Sequence, residues 1–197
     1  MSHYYFSPID SRSMAVACAP EDIPASHTLI EPMQGINNLP FELILKRLVF
    51  SRGAIRKFDD LDSLKYLWLD YQPNSLAWPV LSERMRELID RNATGEEGID
   101  WISVMIRRGE VEARQYHILR FKQPVDVLNR EQTIFAGATD LIVRPAFDQA
   151  KVANLSVFCA PEPFWQITSG IYVSEKIKRQ AKAEKLIGLH FENAITV

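Results

Sequence analysis

Cysteine is scarce. Cys18 and Cys159, in 197 residues, are too few for a disulfide framework. Neither has metal-ligand spacing with His3, His27, His117 or His190. No run approaches the roughly 18 consecutive apolar residues that a membrane-spanning helix needs. The opening Ser2-His3-Tyr4-Tyr5-Phe6 has no basic stretch ahead of an apolar one, so no secretory leader is expected and the reducing cytoplasm is the expected setting. The close glycine pair, Gly95 and Gly98, encloses Glu96 and Glu97, whose charges would repel a phosphate. Phosphate-loop, dinucleotide, Gly-x-Ser-x-Gly and His-Glu-x-x-His patterns are all missing. Charge of one sign is missing too. Lys and Arg number 23 against 25 Asp and Glu, for a net charge of -2. A general nucleic-acid binder would show a basic excess. No cofactor, metal, nucleic acid or membrane partner is therefore expected.

What is present is ordinary globular material, 47% hydrophobic and 24% charged. One domain over residues 1–197 is expected, since domains commonly run roughly 100–200 residues. Pro8, Pro20, Pro24, Pro32 and Pro40 crowd the first forty residues, so residues 1–60 read as a proline-rich, loop-rich part with a short strand at Tyr4–Phe6. The compact run FELILKRLVF, Phe41–Phe50, is ambiguous by periodicity. Its Leu, Lys and Arg content favours a helix. Leu64–Tyr71 reads as either a strand or a packed loop. Ile99–Arg107 and Val111–Phe121 read as a hairpin around Arg108-Gly109-Glu110. Leu141–Val143, Asn154–Phe158 and Gln166–Val173 offer further short strands.

Two segments repeat one pattern. Val80-Leu81-Ser82-Glu83-Arg84-Met85-Arg86 leads, after a helix, to Gly98-Ile99-Asp100-Trp101. Tyr172-Val173-Ser174-Glu175-Lys176-Ile177-Lys178 leads to Gly188-Leu189-His190-Phe191. In each, the serine can accept a first-turn amide bond and the glutamate sits at the positive helix end. The second helix is expected over Glu175–Leu186. The fold expected is α+β, a largely antiparallel sheet with the two Ser-Glu-capped helices packed on it.

Charge is unevenly spread. Residues 1–98 carry ten Lys and Arg against fourteen Asp and Glu, net -4; residues 99–197 carry thirteen against eleven, net +2. Asp59, Asp60 and Asp62 form one acidic cluster, and Glu96 and Glu97 another in an expected loop. These five are the candidate partner-binding residues, suited to a basic protein. Lys176, Lys178, Arg179, Lys182 and Lys185 mark a basic helix, read as a solvated face. Trp101 and Trp165 read as core, as does Trp78, although its place beside Pro79 leaves an exposed anchor open. The alternative to a binding protein is a small enzyme pairing Cys159 with His117 or His190, or using a carboxylate site. No catalytic residue is assigned.

The segments Trp78–Leu88, Tyr116–Leu119, Pro124–Asn129, Ile171–Lys178 and Gly188–Glu192, in order over roughly residues 64–197, together resemble the type-eleven immunity family of bacterial polymorphic toxin systems. The matching residues are Trp78-Pro79-Val80-Leu81-Ser82-Glu83-Arg84-Met85-Arg86-Glu87-Leu88, then Tyr116-His117-Ile118-Leu119 with Pro124-Val125-Asp126-Val127-Leu128-Asn129. The set closes with Ile171-Tyr172-Val173-Ser174-Glu175-Lys176-Ile177-Lys178 and Gly188-Leu189-His190-Phe191-Glu192. Leu128-Asn129 stands where the family has Leu-Asp. The resemblance implies a non-enzymatic cytoplasmic protein that binds and neutralises a cognate toxin, encoded by an adjacent gene, through a stoichiometric complex.

Overall fold

The computed structural model describes residues 2–10, 13–51, 54–110 and 112–197. Along the chain these form β1 (His3–Pro8), β2 (Val16–Cys18), α1 (Ser26–Leu29), β3 (Leu43–Ser51), β4 (Ala54–Phe58), β5 (Val80–Leu81), α2 (Glu83–Asn92) and β6 (Ile99–Arg108). There follow β7 (Glu112–Phe121), β8 (Ile134–Phe135), β9 (Ile142–Arg144), α3 (Gln149–Val152), β10 (Val157–Cys159), β11 (Ile171–Ser174), α4 (Glu175–Ala183) and β12 (Leu189–Asn193). The fold is α+β with antiparallel pairing dominant, distributed over two main sheets rather than one. One sheet runs β2-β3-β6-β7-β5 with β4 added to β3; the other runs β10-β11-β1-β12; β8 and β9 form a separate ribbon. Among the strand pairings of the described residues only β3 with β6 is parallel.

Several expectations change. The Phe41–Phe50 run is not a helix but the strand β3. Leu43 and Leu45 alternate into the core, and pairing with β2, β4 and β6 overrides local helix preference. Leu64–Tyr71 resolves into a packed loop that touches its neighbours through single bridges at Tyr66 and Tyr71. Residues 166 and 167 belong to a 3-10 turn, Trp165–Ile167, ahead of β11. The second helix stops at Ala183. Val111, where the expected second hairpin strand began, lies outside the described residues. Trp78 is buried.

Each Ser-Glu segment forms the same three-stranded arrangement. β5 and β6 flank α2 in sequence, and both pair antiparallel with β7, which lies between them. β11 and β12 flank α4 in the same way, and β1 lies between them. Each unit is therefore a pair of like-directed strands, split by a third, with its helix as the crossover. The middle strand follows directly in the chain for the first unit; for the second it comes from the opposite end of the sequence.

Alternation along the strands builds the layers. Val80, Ile102 and Ile118 turn to a core beneath the proline-rich segment, with Leu29, Ile30, Met33 and Leu39. Leu81 and Leu119 turn the other way and meet Met85, Leu88 and Ile89 of α2, Ile177 and Ala181 of α4, and Phe6, Val157, Ile171 and Val173 of the second sheet. Phe158 and Tyr172, on that sheet's far face, pack with Val127, Leu128, Phe147 and Val152. Both sheets thus have two covered faces and share the helix layer between them. The helices are tied across that layer by Asn92 Nδ2 donating to Gln180 Oε1 at 2.7 Å and by Arg91 pairing with Glu184 at 2.6 Å.

A single carboxylate joins the two units. Asp70, only 5% exposed, accepts the Ser82 hydroxyl at 2.6 Å and the Ile187 amide at 2.7 Å. Its own amide donates to Ile187 O, and its carbonyl accepts from Ser82 N. The start of α2 and the turn after α4 are thereby held by one residue. Gly188, at φ +82, completes that turn; a Cβ there would lie 2.7 Å from Leu69 Cβ.

The two serines differ. Ser82 Oγ accepts from Met85 N at 3.3 Å while donating to Asp70. Ser174 occupies the corresponding position ahead of α4, yet its side chain makes no cap bond and its Oγ is buried without a hydrogen-bond partner. The expected second cap is therefore a cap by position alone. Ser82→Ala should lower urea-unfolding stability by about 1–2 kcal/mol through loss of both bonds. Ser174→Ala should fall within about 0.5 kcal/mol of wild type or raise stability, because it removes an unsatisfied buried hydroxyl. Equal losses at the two positions would contradict this assignment.

Candidate interaction surface

The five expected partner-binding carboxylates do not form one surface. Asp59, Asp60 and Asp62 follow β4 and are exposed, but each has a cation from its own chain. Asp59 pairs with Lys46 and Asp60 with Arg47 of β3, while Asp62 pairs with Arg108 at the end of β6. With Arg56 and Lys57 on the exposed strand β4, this corner carries alternating rather than negative charge. Exposed pairs of this kind contribute little to stability and leave little net field for a basic partner.

Glu96 is exposed, but Glu97 is not a surface residue. Its carboxylate accepts from the Thr94 and Gly95 amides, the Thr94 hydroxyl and the Ser156 amide at 2.9 Å. Ser156 Oγ in turn donates to Asn92 O at 2.6 Å. Glu97 thus clamps the loop after α2 to the segment before β10. Burial alone would raise its pKa, but the hydrogen bonds from Ser156 and Thr94 outweigh that and hold it below the usual carboxylate value.

No hydrogen bond joins Cys159 to His117 or His190 among the described residues. Cys159 is buried in the shared core with its sulfur toward Trp165 O, and burial pushes its thiol up to about 12. His117, on β7, contacts Glu83 and meets Trp101 edge-on. Burial lowers its pKa against the raising influence of Glu83. His190 is exposed on β12. A thiol held so far above neutrality is not a thiolate nucleophile.

Two adjoining clefts, of about 350 and 690 Å³, separate residues 27–35 from the Phe164–Gln166 segment. Phe164 is half exposed in a left-handed backbone conformation, φ +66, beside the His27 ring. Arg120, Asp100 and Lys122, which line this seam, are paired with one another. Arg120 donates to Met33 O, Ile36 O and Asp100 Oδ2, the last at 2.6 Å. Burial alone would raise Asp100, but the Arg120 and Trp101 hydrogen bonds hold it low. Arg120 fastens the proline-rich segment to the sheet.

A third cleft, of about 360 Å³, opens above Asp70, where the two Ser-Glu units meet. Trp68 and Tyr116 form part of its wall. Arg114 lies over the Trp68 ring at 4.6 Å, and Glu112 accepts from both Trp68 Nε1 and Arg114. Arg84 reaches across to Glu184 O at 2.6 Å. Lys185 adds a third cation from the turn after α4. Of these residues Lys185 stood out in the sequence as part of a basic helix, and Arg84 and Tyr116 as members of the resembling segments. Asp70 left one signal, a lone carboxylate inside the aromatic run LKYLWLDY. Trp68 stood out only as a tryptophan able to bury a large area, and Arg114 left no signal, because their stacking joins residues distant in sequence.

No helix is long and apolar enough to cross a membrane among the described residues. Comparison with known proteins adds no relative: no family model matches the chain, and no curated protein matches it.

Glu97→Gln should cost about 1–3 kcal/mol, since it leaves buried amides with a weaker acceptor. Glu97 and Asp100 both titrate below their unfolded values. The stability each contributes is fully present above the unfolded carboxyl range of about 3.9–4.3 and is lost as pH falls through the lower folded values. Urea midpoints measured from neutral to acid pH should therefore fall less steeply for Glu97→Gln than for wild type. Parallel profiles would contradict the clamp.

Proposed function

We propose that this protein binds a cognate toxin stoichiometrically and neutralises it in the cytoplasm, as the resemblance to the immunity family implies. One observation carries the reading. The resembling segments, dispersed over residues 78–192, fall on β5, α2 and β7 of one sheet and β11, α4 and β12 of the other, packed on one shared core, with residues 124–129 in the loop after β7. The shared residues are scaffold. Leu81, Ile118, Leu119 and Val173 are buried, Ser82 caps α2, and Gly188 forms the turn that meets Asp70. A family whose members meet different toxins would keep such a scaffold and vary its surface.

Inhibition by binding asks for an interface of roughly 1,200–2,000 Å² in total. The enzymatic alternative built on Cys159 gains nothing from a buried thiol pushed up to about 12.

The test is co-expression with the product of the adjacent gene in a growth assay. Growth should be restored by the wild-type protein and equally by Cys159→Ser, and the two proteins should co-purify in equal amounts. Absence of both rescue and complex would refute the reading.

A further inference from the structure

We infer that the free edge of β12 pairs with the same strand of a second copy of this chain, antiparallel and centred on Phe191, so that two four-stranded sheets join into one. This goes beyond the toxin-neutralising reading and does not depend on it.

β12 ends its sheet and pairs on one side only, with β1. Ile9 N donates to Gly188 O and Ala194 N to His3 O, each at 3.0 Å. Those two bonds fix the parity between them. His190 and Glu192 turn their backbone groups toward Ser7 and Tyr5 of β1. The amides and carbonyls of Leu189, Phe191 and Asn193 therefore point outward, and none of them is bonded among the described residues. On the helix side Leu189 and Phe191 pack on the shared core, with Phe191 stacked on Phe6 at 5.2 Å. The edge is thus held in place before a second strand arrives, which lowers the entropy lost on pairing.

The other edges of the two main sheets are guarded. β2 is backed by the loop at 73–75, where Ala17 N donates to Pro73 O and Ser75 N to Ala17 O. β5 is backed by residues 70–72, through Gln72 N to Val80 O and Ser82 N to Asp70 O. β10 is buried along its length. β4 carries Arg56 and Lys57, charges of one sign that deter strand pairing. β12 has none of these devices. Leu189–Asn193 holds no Lys, Arg or Pro, and its register against β1 runs without a shift. Such a row of unpaired groups is a template for another strand.

Charge selects the occupant and the register. His190 and Glu192 are exposed, and their side chains have no ion pair or hydrogen bond among the described residues. A two-fold axis at Phe191 sets that residue against its own copy and Leu189 against Asn193, each pair exchanging amide and carbonyl bonds. It also sets His190 opposite Glu192 of the second copy, and the reverse, in the closer pairing where side chains meet. The imidazole donates and the carboxylate accepts. An axis at Glu192 would oppose that carboxylate to itself and call on Ile195, whose carbonyl is already bonded to Phe147 N. An axis at His190 would call on Ile187, whose backbone is already bonded to Asp70. The strand is complementary to itself in the one register that uses its whole free edge.

The experiment is sedimentation equilibrium of the full chain from micromolar to near-millimolar concentration. The mass should rise from 22.6 kDa toward twice that value. Residue-resolved hydrogen exchange should show the amides of Leu189, Phe191 and Asn193 slowing as the protein is concentrated. Glu192→Lys and His190→Glu should each weaken self-association by about tenfold, because each opposes like charges at both ends of the pairing. The double variant His190→Glu with Glu192→Lys exchanges the two charges and should recover wild-type association. Both side chains are exposed, so thermal melts of the dilute variants should match wild type. If a variant melts early, the exchange measurement on wild type decides alone. A mass of 22.6 kDa throughout, association that leaves those three amides unchanged, indifference to the single reversals, or a double variant as weak as either single would overturn the inference. The growth assay reads neutralisation alone, so either reading can fail while the other stands.

Discussion

The structure hinges on one buried carboxylate. An unpaired charge removed from water costs several kcal/mol, so Asp70 is tolerable in the interior only with its partners in place. Those partners come from two distant parts of the chain, the start of α2 and the turn after α4. Neither unit can shift without leaving the carboxylate short of a donor. The helix contacts through Asn92, Gln180, Arg91 and Glu184 extend the same lock along the shared layer. The cleft above Asp70 inherits its shape from this requirement, because Arg84 and Lys185 belong to different units yet are placed by the same residue.

Local signals were legible in the sequence. Ser82 and the apolar spacing of Met85, Leu88 and Ile89 mark α2, and Gly109 marks the turn of the β6–β7 hairpin, because these features depend on neighbours within a few residues. Long-range determinants were not. The Phe41–Phe50 run carries helix-forming residues, and only strands elsewhere in the chain make it β3. Glu97 looks solvated between Glu96 and Gly98, but the amide that buries it is 59 residues away. The candidate surface suffers most from this. Acidic residues can be read from a sequence, whereas the cations that neutralise Asp59, Asp60 and Asp62 come from other strands.

Scaffold and surface are thus divided. The repeated Ser-Glu segments supply buried strands, helix starts and turns. Less buried features, among them the Arg114–Trp68 stack and Lys185, lie on the rim between them. Such a division lets exposed residues change while Asp70, Leu81 and Ile118 hold the frame. Substitutions at the rim should cost little stability, since exposed positions rarely disturb folding by much.

The position of β1 has a consequence for how the molecule is made. Tyr4 pairs with Val173 on one side and with Asn193 on the other. Strand β1 must therefore wait for β11 and β12, far along the chain, before its backbone groups find partners. Until then, Phe6 has no core to enter and both strand edges are open. Contacts of such long sequence separation form slowly, so the nascent chain passes through a stage in which that strand is available to chaperones or to unwanted pairing. A protein assembled this way responds to translation as a whole: a chain interrupted before β11 would leave β1 unpaired.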